Sequence, residues 1–281
     1  MRVRILVTND DGINSLGLHA LALAMRPFGE VTVIAPATEY SGAGASLGTL
    51  TFEDPVARRA SIDALDGIEA WSISGPPALC VMHAQLGAFG EPFDLIVSGI
   101  NPGQNVGWSV YHSGTIGAAL TGRNRGTSGL AMSIGFNGKE VEGQTWGEIV
   151  SGMRWETAAT VAAQIVEGII AEPSESPVVI NCNVPNKPLE ELSGWSLAAV
   201  GGEPPRKLVT SSLNPDGSDD EGTKFRLTMD WGAASEVSPG TDAYLVRNNT
   251  VSMTWLGHLR ETDPEPAHHD AIATNLDTLF S

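Results

Sequence analysis

The chain is poor in several features that would narrow its class. Only two of its 281 residues are cysteine, Cys80 and Cys182, each among apolar neighbours ("PALCVMH" and "VVINCNVP"). That rules against a disulfide framework and reads as two buried free thiols. Basic residues are scarce as well: 16 Lys and Arg stand against 33 Asp and Glu, a net charge of −17. A protein that grips DNA or RNA needs a basic surface to displace counterions, so no nucleic acid polymer is expected as a partner. A small phosphorylated molecule stays compatible, because a bound cation and backbone N–H groups can supply the attraction locally. No apolar run approaches the roughly 18 residues that suggest a membrane span, and no membrane partner is expected. The chain runs straight into "VRILV" without a signal-peptide pattern, which gives the expectation of a cytoplasmic protein. Internal repeats and low-complexity segments are missing too.

What is present is alternation. "VRILV" reads as a buried strand, followed by a helical pattern through Leu18, Leu21, Ala22 and Met25, with Ser15 as N-cap and Pro27 as stop. "VTVIAP" (31–36) is a second strand, and strand–helix–strand within about 35 residues implies a parallel βαβ unit. Further strands are predicted at 68–74, 93–100, in "GLAMSIG" and in "PVVINCNVP". Helices are predicted from Pro77 to Leu86, in "GTIGAALTGRNRG" and in "WETAATVAAQIVEGIIA". After about residue 190 the pattern changes. "NPDGSDDEG" reads as an exposed loop, "TKFRLTMDW" and "TDAYLVRNNTVSMTWL" as antiparallel strands, and His268–Asp270 as part of a solvated loop before a short helix. The expected fold is α/β: a Rossmann-like three-layer αβα core with a mostly parallel sheet over residues 1–200, and a β-rich C-terminal extension over 201–281.

In an open α/β sheet, function gathers where strands end at their carboxyl edge. Three polar loops leave such edges: "TNDDG", "ATEYSGAGASLGT" and "SGINPGQN". If the strands are parallel neighbours, Asp10, Asp11, Ser41 and Asn101 can share one point. Two carboxylates, a hydroxyl and an amide oxygen are hard ligands, suited to Mg²⁺, Mn²⁺ or Ca²⁺. A cation beside them would also explain why two adjacent acids follow a buried strand, where desolvation and mutual repulsion both oppose them. In "YHSGTIGAA", Ser113, Gly114 and Thr115 open a helix, whose unpaired N–H groups and dipole welcome an anion. Each motif alone also has a plainer reading: Asp11 and Asn14 as capping residues, Ser41 and Asn101 as turn formers, Ser113 as an ordinary N-cap, His112 as a structural neighbour of that cap. A nicotinamide oxidoreductase is disfavoured, since the first strand–helix turn lacks G-x-G-x-x-G. A phosphatase with an aspartyl intermediate would want D-x-D, whereas these acids are adjacent.

Taken in order, "ILVTNDDGI", "SGAG", "DLIVSGINPGQNVG" and "HSGTIGAA" resemble the SurE family of metal-dependent phosphatases, and "TDAYLVRNNTVSMTWL" is similar to that family's late strand pair. The resemblance implies a 5′(3′)-nucleotidase that hydrolyses nucleoside monophosphates with one divalent cation, Mg²⁺ or Mn²⁺, per subunit. It implies Asp10, Asp11, Ser41 and Asn101 as metal ligands, with Asn9 positioning the attacking water and Asp10 or Asp11 accepting its proton. Asn105, Ser113, Gly114 and Thr115 become phosphate contacts. It also implies a homodimer or homotetramer assembled in part through a C-terminal arm. Several positions depart from the family pattern: Ala37, Tyr40 and Ala45 replace an Asp, an Arg and a His, Pro76 and Leu79 replace a Thr and an Asp, and Pro102 replaces an Arg. These losses keep two alternatives open: another phosphomonoester as substrate, or a metal- and phosphate-binding protein with little turnover.

Overall fold

The computed structural model describes residues 2–48, 54–135, 144–203, 205–219, 222–259, 261, 263 and 265–280. Thr49 of the second loop and Asp220 and Glu221 of "NPDGSDDEG" lie outside the described residues.

The first apolar run forms β1 (Arg4–Thr8), buried from Ile5 onward, and α1 (Leu16–Met25) follows it. Ser15 stands at the N-cap in extended conformation without a side-chain bond, and the α-helix stops at Met25, before Pro27. Then come β2 (Glu30–Pro36), β3 (Ala57–Arg59), β4 (Glu69–Ile73) and α2 (Pro77–Gln85). β5 (Leu95–Pro102), α3 (Gly114–Asn124), β6 (Ser128–Gly135), α4 (Trp146–Ser151), α5 (Trp155–Ala171) and β7 (Val179–Pro185) complete the alternation. The remaining elements are β8 (Trp195–Leu197), β9 (Arg206–Asp219), β10 (Gly222–Ala234), α6 (Asp242–Arg247), β11 (Val251–Trp255) and α7 (Pro266–Phe280).

Among the described residues, nine strands form one sheet in the order β3-β4-β2-β1-β5-β6-β7-β11-β8. The six from β4 to β7 are all parallel; β3 pairs antiparallel at one edge and β11 antiparallel to β7 at the other. Helices cover both faces, so the central strands are continuous apolar runs rather than alternating ones. On one face α1 and α5 pack with Val7, Val97, Met132 and Cys182 of the sheet. On the other, α2 and α3 pack against Leu6, Ile34, Ile96 and Ala131. The expected Rossmann-like core and its parallel sheet are therefore present. Both cysteines are buried and free, with their thiols pushed up by burial, Cys182 to about 12. Among the described residues no helix is long and apolar enough to cross a membrane.

Three local expectations need correction. Residues 242–247 are helix, not strand: Asp242, Ala243 and Val246 turn inward onto the sheet end, and Thr241 provides an extended N-cap. "NPDGSD" continues β9 instead of looping out, in an antiparallel hairpin with β10 whose register runs from Arg206 opposite Ala234 to Asp219 opposite Gly222. β10 and β11 consequently lie in different sheets. Positions 268–270 belong to α7 and not to a loop before it.

Candidate functional site

The order β4-β2-β1-β5-β6-β7 is the doubly wound Rossmann order: the chain moves outward from β1 through β2 to β4, then returns to the other side of β1 at β5. Neighbouring loops diverge above and below the sheet there, which opens a crevice at the carboxyl ends of β1 and β5. β1 and β5 stay in register to Thr8 opposite Ser98, so Asn9–Asp11 and Asn101 leave the same edge.

Asn9 folds back, donating from Nδ2 to the Gly12 carbonyl at 3.0 Å. Asp10 then sits in the crevice, 3 % exposed. Its Oδ1 accepts the hydroxyl proton of Thr115 at 2.6 Å, and its own carbonyl accepts the Tyr40 N–H at 2.7 Å. These two bonds gather three segments: the loop after β1, the loop after β2 and the first turn of α3. Gly114 makes the approach feasible, because a Cβ there would lie 2.9 Å from Asp10 Oδ2. The glycine-rich loop is held in place by the Gly44 N–H, which donates to the His112 carbonyl at 3.0 Å. Ser113 caps α3, accepting the Ile116 N–H at 3.1 Å. The helix N-terminus thus faces Asp10 directly.

The electrostatics are strained. Burial raises the Asp10 carboxyl above its ordinary range, against hydrogen bonds from Thr115 and nearby N–H groups. Asp11 is pushed up to about 8, first by burial, then by the charges of Asp10 and Glu39. Asp11 Oδ2 and Asn9 Oδ1 are buried with no hydrogen-bond partner among the described residues. Buried orphan acceptors beside stacked negative charge are costly unless a cation joins them.

The side chains of the remaining predicted residues make bonds elsewhere. Ser41 is exposed and donates to Glu39 Oε1 at 2.8 Å. Asn101 Nδ2 donates to the Gly103 carbonyl at 2.6 Å, which leaves its amide oxygen as the available acceptor. Asn105 is buried against β6 and β7: its Nδ2 donates to Ser133 Oγ at 2.9 Å and its N–H to Asn183 Oδ1 at 2.7 Å. Contact with the Asp10–Thr115 centre is direct for Gly114 and Thr115, while Ser41, Asn101 and Asn105 make other bonds. Glu39 was not singled out from sequence. Its position two residues before Ser41 was the available signal.

Among the described residues, no three His, Cys, Asp or Glu side chains gather as a metal cluster. The adjacent Asp10 and Asp11 carboxylates, with the Asp11 oxygen left without a partner among the described residues, are nonetheless hard oxygen donors of the kind a divalent cation takes. A cavity of about 710 Å³ lies elsewhere, lined by Ile165, Ile169, Trp195, Met253 and Trp255 at the β11–β8 end of the sheet.

Fold and crevice define a class: a Rossmann-like α/β protein in which oxygen donors face an amide-lined helix end at the topological switch. The comparisons are more particular. Residues 5–206 match the family model described as Survival protein SurE. The crystal structure of the SurE protein from Aquifex aeolicus is similar over 92 % of this chain and 95 % of that one, at 30 % identity and a TM-score of 0.69. The chain belongs to the SurE family, which is known for metal-dependent nucleotidases and phosphatases.

Proposed function

We propose that this chain is a metal-dependent phosphomonoester hydrolase of the 5′(3′)-nucleotidase type, acting on nucleoside monophosphates. The observation that carries the reading is the pairing of Asp10 with the first turn of α3, through Thr115 Oγ1 at 2.6 Å and the close approach of Gly114. An acid that would hold a cation and a helix end that would hold an anion are thereby adjacent, as phosphoryl transfer requires.

In this reading Asp10, Asp11, Ser41 Oγ and Asn101 Oδ1 hold one Mg²⁺ or Mn²⁺. When bound, the cation polarises the phosphoryl oxygens and acidifies water. The N–H groups of Gly114 and Thr115 and the N-cap Ser113 take the phosphate oxygens, with the glycine letting them approach the backbone. Asn105 contributes an amide to the charge that develops on the equatorial oxygens. Asn9 orients the attacking water with its unpartnered Oδ1, and Asp11 or Asp10 accepts the proton.

Assembly into a homodimer or homotetramer is part of the proposal. The support is apolar surface left uncovered: Ile272, Leu276, Leu279 and Phe280 on α7, and Leu213, Phe225, Leu227 and Met229 on the hairpin, are exposed. Light scattering should give a mass at least twice the 29.5 kDa of one chain.

The test is phosphate release from a panel of nucleoside monophosphates and p-nitrophenyl phosphate, with Mn²⁺ or Mg²⁺ and then with chelator. Release that needs the cation and is fastest on nucleotides supports the reading. Cation-dependent release from another ester would change the substrate. Mn²⁺ binding without release from any ester would instead establish a binding protein, the outcome that the lost Arg and His positions, Tyr40 and Ala45, would then explain.

A further inference from the structure

Asp242 is fully buried, far in sequence from every residue of the site, and has no part in the chemistry just described. Its carboxylate accepts three backbone N–H groups. Oδ2 takes Gly107 at 2.9 Å; Oδ1 takes Gly201 at 3.0 Å and Ala243 at 2.8 Å. The three donors come from unrelated places: the turn after β5, the irregular segment between β8 and β9, and α6 itself. The hairpin leaves the body just after Gly201 and returns just before Asp242, so the carboxylate fastens the base of that excursion to the segment following β5.

That segment lies between Asn101, the candidate cation ligand, and Ser113, the candidate anion seat. It is clamped twice. The first clamp is Asn105, whose N–H meets Asn183 and whose carbonyl accepts Asn181 Nδ2 at 2.9 Å and Asn183 Nδ2 at 3.2 Å. The second is Asp242 on Gly107, two residues further. α6 also packs close to the segment: the space a Cβ on Gly135 would take is bounded at 2.8 Å by both Gln104 Oε1 and Val246 Cγ1. Gly107 has φ +55, a conformation that side chains adopt only at a cost, and nothing local fixes its N–H.

We propose that Asp242 is a positioning residue of the site, acting through the Asn105–Gly107 segment to set where the Asn105 amide stands. The inference rests on the phosphatase reading, in which Asn105 touches phosphate. Chemically the role suits a carboxylate and not its amide. Three N–H donors share two acceptor oxygens, and an Asn would have to turn an NH₂ toward one of them, donor against donor. Asp242→Asn therefore breaks one link at nearly constant volume.

The experiment uses the full chain with saturating Mn²⁺ and whichever ester of the panel turns over fastest, comparing wild type, Asp242→Asn, Asn105→Ala and the double variant. The expected result is about a tenfold rise in KM for Asp242→Asn with kcat changed less, and a double variant no worse than Asn105→Ala alone, since both act through one group. A merely structural role would lower the active fraction, and with it kcat, at unchanged KM. Effects that multiply in the double variant, or an Asp242→Asn enzyme with wild-type KM while Asn105→Ala is impaired, would overturn the inference and leave the phosphatase reading intact. An inactive wild type would instead overturn that reading, and this inference with it. Hydrogen exchange on the unmodified protein tests the link without a variant. The Gly107 N–H should be protected like the amides of β5 and β6, and exchange at the rate of an open loop would refute the clamp.

Discussion

Cation binding should carry a proton with it. In the ion-free protein Asp11 is pushed up to about 8 by burial and by the charges of Asp10 and Glu39, and Asp10 is raised by burial as well. A divalent cation binds the ionised pair, so below pH 8 it must displace at least one proton. At pH 6 about 1 % of Asp11 is ionised, and Asp11 alone lowers the apparent affinity for Mn²⁺ about tenfold for each unit below 8, roughly 2.7 kcal/mol over two units as the minimum effect. Because Asp10 is raised as well and the two titrate as a pair, the slope lies between one and two protons, with the Asp11 share lost above pH 8. Stability follows the same linkage with a definite sign. The folded pKa of Asp11 lies above its unfolded value near 3.9, so between those values the folded state holds the extra proton. Stability of the ion-free protein should therefore fall as pH rises through that window and level off above 8, and saturating Mn²⁺ should offset the loss. Calorimetric titration with Mn²⁺ at pH 6, 7 and 8, in two buffers of different ionisation enthalpy, gives both the affinity and the protons released. An affinity equal at pH 6 and pH 8, or an Asp11→Asn variant with the same pH dependence as wild type, would refute the account.

Two further outcomes are expected. Thr115→Val removes the 2.6 Å donor to Asp10 at nearly constant volume. A hydrogen bond to a charged group is worth about 1.5–3 kcal/mol, so Mn²⁺ affinity at pH 7 should fall by roughly one to two orders of magnitude, and more than the KM for the ester rises. Equal changes in both would show that the hydroxyl serves the phosphate instead. Gly117→Ala would place a Cβ 2.2 Å from the Gly44 carbonyl oxygen. The backbone of the glycine-rich loop cannot yield without moving Ser41, so a stability loss of about 1–3 kcal/mol and weakened cation binding should appear together, measured by thermal melting and titration.

The residues carried unequal amounts of this information. Uninterrupted apolar runs such as Leu6–Val7 and Ile96–Val97 report burial on both faces, and that alone implies a parallel sheet under two layers of helix. The loops "TNDDG" and "HSGT" were legible for a local reason: adjacent acids after a buried strand, and glycine beside an N-cap, conflict with ordinary packing unless a ligand compensates. The C-terminal part held no such conflict. "NPDGSD" has the composition of a turn, yet it extends β9, because cross-strand partners such as Asn214 Nδ2 to Thr228 Oγ1 at 3.0 Å outweigh local preference in a hairpin. "DAYLVR" has the β-branched and aromatic content of a strand, yet it is helix α6, with Asp242 at its first position accepting the N–H groups of Gly107 and Gly201 from distant segments.

Sequence by itself therefore determined the doubly wound core and marked the acidic loop and the helix end that meet in the crevice, since burial periodicity and residue type are properties of neighbouring residues. The tertiary structure alone decided which groups meet. It placed Thr115 on Asp10, Glu39 near Asp11 and Asp242 under Gly107, contacts whose partners lie 105, 28 and 135 positions apart. Contacts across such separations leave no periodic trace in the chain, because they depend on strand order and on where each loop leaves the sheet.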